Sequence, residues 1–305
     1  MAAGRVGWYG VSSNTAVLPA DDPEATSLSR MLETAEAAGG SEHRFRVLQV
    51  PMNLFEAGAI LTPNTGPHGG HTVLGLAAEA GIGVLVNRPL NALAGDRMIR
   101  LADFHIEEEG DAVAPDAALG RVAALEAEFR TQIASHLQTP QGGIPPADWF
   151  RWADRLPTLS GRLQGLDHWR QIEEQMIAPM VTQIVHTLDE RLAGPLGQAW
   201  QSWRDRYLPE FEGLLQAFRI QAARQSQAMS EAVAAALSAR LPLARQGEGL
   251  SRKALWILAS TPGVSSVLLG MRHPEYVEDG MGILGWPPLP DVRPIYEAVR
   301  QVRVA

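Results

Sequence analysis

Cysteine is absent from this chain of 305 residues, and lysine is nearly so. Without cysteine there can be no disulfide, no thiolate nucleophile and no cysteine-ligated metal. Lys253 is the only lysine among 26 basic residues, and all the others are arginines. Because an arginine guanidinium stays protonated, it cannot replace lysine where chemistry requires an ammonium group with an adjustable pKa. Thiol catalysis is therefore excluded, and lysine catalysis is limited to one position.

Long apolar runs and excess positive charge are also missing. No stretch approaches the roughly 18–20 apolar residues of a membrane span, and the first residues lead into no signal-peptide core. The net charge of −8 disfavours a nucleic-acid partner, while 46% hydrophobic residues suffice for a packed core. We therefore expect a soluble cytoplasmic protein with one large or two medium domains and no membrane or nucleic-acid partner.

Four short segments rich in valine and leucine predict β-strands, and helical patterns separate them. The strands are expected at residues 5–11, 45–51, 81–87 and 264–270. Helices are expected at residues 23–39, 71–80 and 252–260, from about Pro274, and at 292–302. Apolar residues on both faces of a strand are typical of a parallel sheet, and alternating strands and helices indicate an α/β fold.

The sequence between the third and fourth strands has a different character. Residues 100–245 contain apolar stripes spaced by three and four residues, which predict several amphipathic helices with a core of their own. Five tryptophans lie there, and core packing explains them better than a ligand groove. We expect an inserted all-α domain at 100–245 within an α/β domain made of 1–99 and 246–305.

Small polar and glycine residues follow the strands. The sequence Tyr-Gly-Val-Ser-Ser-Asn ends the first strand, and Val-Leu-Gln-Val-Pro forms the second. The third strand runs into Arg-Pro-Leu, and the fourth into Gly-Met-Arg-His-Pro-Glu. Four such motifs in this order resemble the fifth to eighth strands of an aldo-keto reductase, a family built on the (β/α)₈ TIM barrel. The resemblance covers residues 1–99 and 246–305.

The resemblance implies a nicotinamide cofactor, NADP or NAD, and a carbonyl or alcohol substrate for the complete enzyme. Family positions that hold the cofactor correspond to Ser12, Ser13, Asn14, Gln49, Arg88, Gly270, Met271, Arg272 and Asp279. The family's catalytic aspartate, tyrosine, lysine and histidine come from the first four strands, which have no counterpart here. We therefore assign no catalytic residue and expect that this chain alone does not reduce a carbonyl.

Three positions depart from the family pattern. Asn87 stands where the family has an aromatic residue that stacks on nicotinamide, and Tyr276 and Gly280 stand where it has an arginine and an asparagine. These differences favour an alternative, a non-catalytic degenerate barrel that presents the helical domain to a protein partner. His68 and His71 lie close together on a loop, but a metal site needs three or four ligands, so we predict none.

A partial barrel of four strands would leave two sheet edges and one apolar face open. The sequence allows three explanations. The chain is a truncated product whose parent carries four more strand-helix units upstream, another chain supplies them, or two copies join their halves. We expect truncation. Either a missing N-terminal half-barrel or self-association is then expected to complete the fold.

Overall fold

The computed structural model describes residues 5–94, 97–104, 115–139 and 143–302. The chain forms two compact units, the first from Met1–Asp103 with Met229–Ala305 and the second from Phe104–Ala228. The insertion is thus shorter than the 100–245 expected from sequence. Residues 229–245 belong to the first unit, and they include the end of a helix that begins in the second.

The first unit alternates strands and helices, as the sequence predicts. Its strands are β1 (Tyr9–Ser12), β2 (Phe45–Pro51), β3 (Gly83–Asn87), β4 (Asn91–Ala94), β5 (Arg97–Arg100) and β6 (Val264–Val267). Its helices are α1 (Leu28–Gly39), α2 (Gly58–Leu61), α3 (Val73–Glu79), α9 (Leu250–Ala259), α10 (Pro274–Gly282) and α11 (Arg293–Val299).

Four of these strands form one parallel sheet in the order β1-β2-β3-β6. Strands that lie in chain order and are joined by right-handed crossovers carry their connecting helices on one face. Accordingly Leu48, Val50, Val84 and Val86 are fully buried in one core with residues of α1, α3, α9 and α11. Burial of each such side chain contributes about 1.5–3 kcal/mol. The predicted α/β fold with a parallel sheet is confirmed, and the described residues form an open sheet, not a closed barrel.

The opposite face of the sheet carries a different set of side chains. Strand pairing aligns Ser12 with Gln49, Gln49 with Leu85, and Leu85 with Ser266. Because neighbours in register point the same way, these four form one row across the sheet. All four are half-buried or exposed, whereas the helix-side row is completely buried.

Several element boundaries differ from the predicted ones. Strand β1 begins at Tyr9, not residue 5, because the Tyr9 amide bonds the Arg44 carbonyl at 3.0 Å and β2 provides no partner strand before that point. The last strand ends at Val267 instead of residue 270. An antiparallel hairpin of β4 and β5 was not predicted at all.

The second unit is helical over its described residues. Its helices are α4 (Pro115–Gln132), α5 (Trp152–Ser160), α6 (Leu166–Ile172), α7 (Ala178–Arg191) and most of α8 (Gly194–Ser238). Trp200, Trp203, Tyr207 and Phe211 recur every three or four residues on α8 and stack in sequence, with ring centroids 5.4, 4.4 and 5.5 Å apart. These rings are buried, so the aromatic residues form a core and not an open groove.

Candidate functional site

The carboxyl ends of the parallel strands bring several predicted site residues to one edge of the sheet. This edge is where α/β proteins bind ligands, because loops leave the strands there and helix N-termini point toward it. Ser12 ends β1 directly beside Gln49 on β2, and the Ser13 amide donates to the Gln49 carbonyl at 2.9 Å. Two motifs that are far apart in sequence are thus joined by backbone pairing.

Only part of the Ser-Ser-Asn motif is free to meet a ligand. The Ser13 hydroxyl accepts hydrogen bonds from the Thr15 and Ala16 amides at 3.3 and 3.1 Å and pairs with the Thr26 hydroxyl at 2.7 Å. That geometry is a local serine turn, in which the side chain stabilises the loop. Ser12 and Asn14 are exposed, and their side chains have no hydrogen-bond partner among the described residues.

The Gln49 side chain, like those of Ser12 and Asn14, is available to bind a ligand. Its side chain is half-buried on the face opposite the helices, and no partner for its amide occurs within the described part of the chain. A primary amide offers two donors and one acceptor, so it matches another amide in both directions. Ser12 and Gln49 therefore provide neutral hydrogen-bonding groups side by side, and Asn14 adds a third neutral group two residues after Ser12.

Arg88, just after β3, forms an ion pair and hydrogen bonds with neighbouring residues of the same unit. Its Nη2 lies 2.7 Å from Glu56 Oε1, and the buried Asn53 donates to Glu56 Oε2 at 2.7 Å and to the Arg88 carbonyl at 3.2 Å. The Leu93 amide completes the carboxylate's contacts at 3.0 Å. Arg88 also adopts a left-handed backbone with φ of +54°, which costs about 1–2 kcal/mol for a residue with a side chain. The Glu56 and Asn53 contacts hold that conformation.

Three buried polar atoms around this turn have no hydrogen-bond partner among the described residues. They are Asn87 Oδ1, Arg88 Nε and Asn91 Oδ1. Such atoms are uncommon in folded proteins, because each costs about 1–3 kcal/mol when left unpaired. Asn87 ends β3 at the same sheet edge as Gln49, so the uncommitted polar groups extend from β1 to β3.

The turn after β6 is an exposed part of the predicted site. Gly270, Met271 and Arg272 are exposed, and no ion pair of Arg272 occurs among the described residues. The turn leads into α10, whose first turn contains Pro274 and the acidic Glu275. Free amides at a helix start favour an anion, but Pro274 has no amide hydrogen and Glu275 adds negative charge.

Asp279 lies at the other end of α10 and is engaged within the protein. Its Oδ2 accepts from the Ser251 hydroxyl at 2.5 Å, and its Oδ1 lies 3.1 Å from Arg252 Nε. Both partners belong to α9, so Asp279 connects α10 to the helix that packs under β6. These contacts hold α10 against α9.

Comparison with protein-family models, curated proteins and solved structures found no significant match.

The remaining candidates for catalysis or metal binding are the acidic and histidine side chains and Lys253. Among the described residues, no group of three histidine, aspartate or glutamate side chains is arranged to hold a metal ion. Lys253 is buried in α9, where burial lowers its pKa against the opposing influence of Asp103 and Glu248. Over the described ranges, none of the helices is long and apolar enough to cross a membrane.

Sequence reasoning missed the two residues that define the Arg88 cluster. Asn53 and Glu56 follow β2 with a spacing of three, and the Asn53 Oδ1 accepts the Phe55 and Glu56 amides at 3.1 and 2.9 Å. An asparagine after a strand with an acidic residue three positions later is a recognisable turn signal. Its pairing with Arg88 could not be read from spacing, because the two lie on different loops.

Proposed function

We propose that this chain carries the nicotinamide-binding half of an NAD(P)-dependent oxidoreductase of the aldo-keto reductase type. In this proposal β1, β2, β3 and β6 correspond to strands five to eight of a TIM barrel. The sequential order of the strands and the packing of the helices on one face support it, because a barrel has both properties. The open face then corresponds to the barrel interior.

One observation supports this proposal most strongly, the pairing of Ser12 with Gln49 at the carboxyl ends of adjacent strands. A nicotinamide carboxamide has one acceptor and two donor hydrogens, and it binds best to neutral groups that offer both. Ser12, Asn14 and Gln49 offer such groups and are not engaged elsewhere in the described structure. The donor set therefore fits a carboxamide.

The phosphate end of the cofactor is assigned to the turn of Gly270, Met271 and Arg272. The exposed guanidinium of Arg272 can form two parallel hydrogen bonds with a phosphate. Arg88 and Asp279 act as positioning residues in this scheme, because Glu56 and Arg252 already neutralise them. Both NADP and NAD remain candidates, since Arg272 is compatible with either.

The proposed role is cofactor binding in the cytoplasm, with a carbonyl or alcohol substrate bound by the complete enzyme. The reaction's proton donor is assigned to strand-helix units outside this chain. We therefore expect nucleotide binding without turnover from the chain alone.

Titration with NADPH and NADH, followed by calorimetry, tests the proposal. We expect Gln49→Leu to weaken binding about tenfold, because an unpaired carboxamide loses one or two hydrogen bonds worth about 1 kcal/mol each. Gln201→Leu is the matched control, since Gln201 is exposed on α8 in the second unit. Absence of binding by the wild type, or equal loss in both variants, would refute the cofactor assignment.

A non-catalytic scaffold is the second candidate, and the commitments of Arg88 and Asp279 favour it. Two of the residues expected to hold a cofactor instead stabilise the fold. The helical unit, with its own aromatic core, would then bind a protein partner. If the scaffold proposal holds, the wild type does not bind a nucleotide, and neither Gln49→Leu nor Asn14→Ala changes that result.

A further inference from the structure

The two outer strands of the parallel sheet leave complementary edges open. Within the described residues β1 pairs only with β2, and β6 pairs only with β3. Each of these outer strands is four residues long. An open edge presents unpaired backbone amides and carbonyls, which favour the addition of another strand.

A cleft of about 760 Å³ lies beside the β1 edge. Tyr9 and Val11 of β1 form one wall, and Met31, Ala35 and Ala38 of α1 form the other. Tyr9 and Val11 are 38% and 37% exposed, although their counterparts on β2 are completely buried. The cleft therefore lies where the helix of an added strand-helix unit would pack.

Helix α10, which follows β6 at the other edge, carries several exposed apolar side chains. None of its residues is buried. Tyr276, Val277 and Met281 are 36%, 37% and 58% exposed, and Leu284 just beyond the helix is 71% exposed. A cluster of exposed apolar side chains on one helix is characteristic of an interaction surface.

The charges on the two surfaces are opposite. Arg30 of α1 lines the cleft, while Glu275 and Glu278 lie on α10. All three side chains are exposed, and none has an ion-pair partner among the described residues. Opposite charges of this kind orient an association even when each pair contributes little affinity.

We propose that a second copy of this chain occupies these surfaces, with α10 of each copy in the α1–β1 cleft of the other. A twofold axis parallel to the strands brings β1 of one copy beside β6 of the other at two equivalent seams and keeps all strands parallel. Four strands from each copy make eight, a number at which side chains fill a barrel interior. Gln49 and Leu85 would then face that interior. Two copies joined in this way would occupy the edges at which the proposed function places the strand-helix units of the complete enzyme, so this inference is separate from the proposed function and does not depend on nucleotide binding.

Sedimentation velocity across a wide range of concentration tests the association. We expect a species of twice the chain mass of 33.0 kDa. Arg30→Glu should weaken the dimer about tenfold or more, because it places three acidic groups together. Adding Glu275→Arg and Glu278→Arg to that variant should restore association. Arg162→Glu, an exposed charge reversal in the second unit, should leave the dimer unchanged.

The absence of cysteine allows a direct test of the contact. Thr34→Cys places a thiol in the cleft, and Val277→Cys places one on α10. The double variant should form a covalent dimer on oxidation, whereas each single variant should remain non-covalent and serves as the matched control. A wild type that stays monomeric, a dimer unaffected by Arg30→Glu, or a double variant that does not cross-link would each overturn the proposal. Circular dichroism of every variant establishes that it is folded.

Discussion

Substitution of Asn53 should lower the stability of the protein more than the other substitutions considered, because this one side chain connects two loops of the first unit. Its Oδ1 accepts the Phe55 and Glu56 amides, and its Nδ2 donates to Glu56 Oε2 and to the Arg88 carbonyl. The residue is completely buried. Asn53→Ala removes all four hydrogen bonds and provides no replacement for the two amides.

The magnitude follows from the type of each bond. Three neutral hydrogen bonds contribute about 1 kcal/mol each, and the bond to the carboxylate contributes about 1.5–3 kcal/mol. Part of this is recovered because Glu56 keeps Arg88 and the Leu93 amide. We therefore expect Asn53→Ala to lower the free energy of unfolding by about 3–4 kcal/mol, near the upper end for single substitutions.

Urea unfolding followed by circular dichroism measures the loss. With a slope of about 1–3 kcal/mol per molar urea, the midpoint should fall by about 1 M or more. Asn14→Ala is the matched control, because Asn14 is exposed and its side chain has no described partner; it should stay within about 0.5 kcal/mol of wild type. A loss below about 1 kcal/mol for Asn53→Ala, or equal losses in both variants, would refute this reasoning.

Two further predictions concern buried groups that ionise. Burial raises the pKa of Glu126, although the Trp152 amide and the Tyr207 hydroxyl oppose that shift. The folded state therefore binds a proton more tightly than the unfolded chain, so the free energy of unfolding of the wild type, relative to that of Glu126→Gln, should fall as pH rises above about 4.5. Urea unfolding at several pH values measures this difference. A difference that does not change with pH would contradict the prediction. Tyr296→Phe removes the 2.8 Å hydrogen bond between the Tyr296 and Thr261 hydroxyls, while Thr261 keeps its bond to the Ile257 carbonyl. Thermal unfolding should therefore show a free energy of unfolding lower by about 1 kcal/mol. An unchanged melting temperature would show that the bond contributes nothing.

The sequence predicted the parallel sheet because its signal is local. Valine and leucine on both faces of β2 and β3 identify buried strands without knowledge of their partners. The hairpin of β4 and β5 gave no such signal, since residues 91–94 read Asn-Ala-Leu-Ala and contain no β-branched or aromatic residue. Strand β1 was predicted too long because its start depends on where β2 provides a partner, which composition does not encode.

The unit boundary was missed for a related reason. Helix α8 continues for 45 residues through position 228 without a change in its helical pattern. The sequence therefore placed the boundary at residue 245, after the last helical stripe. The change of core occurs within a continuous helix, and only tertiary contacts reveal it.

The candidate site divides into residues that the fold uses and residues that it leaves available, and sequence alone could not make this division. Ser13, Arg88 and Asp279 each have partners that stabilise a loop or a helix. Ser12 and Gln49 have none among the described residues, although they belong to the same motifs. A polar side chain at a strand end that is open to solvent and has no partner within the chain is available to a ligand or to another chain. Nucleotide titration and the cross-linking experiment examine those two uses separately, because Gln49→Leu leaves the outer edges intact and Arg30→Glu leaves the Ser12–Gln49 row intact.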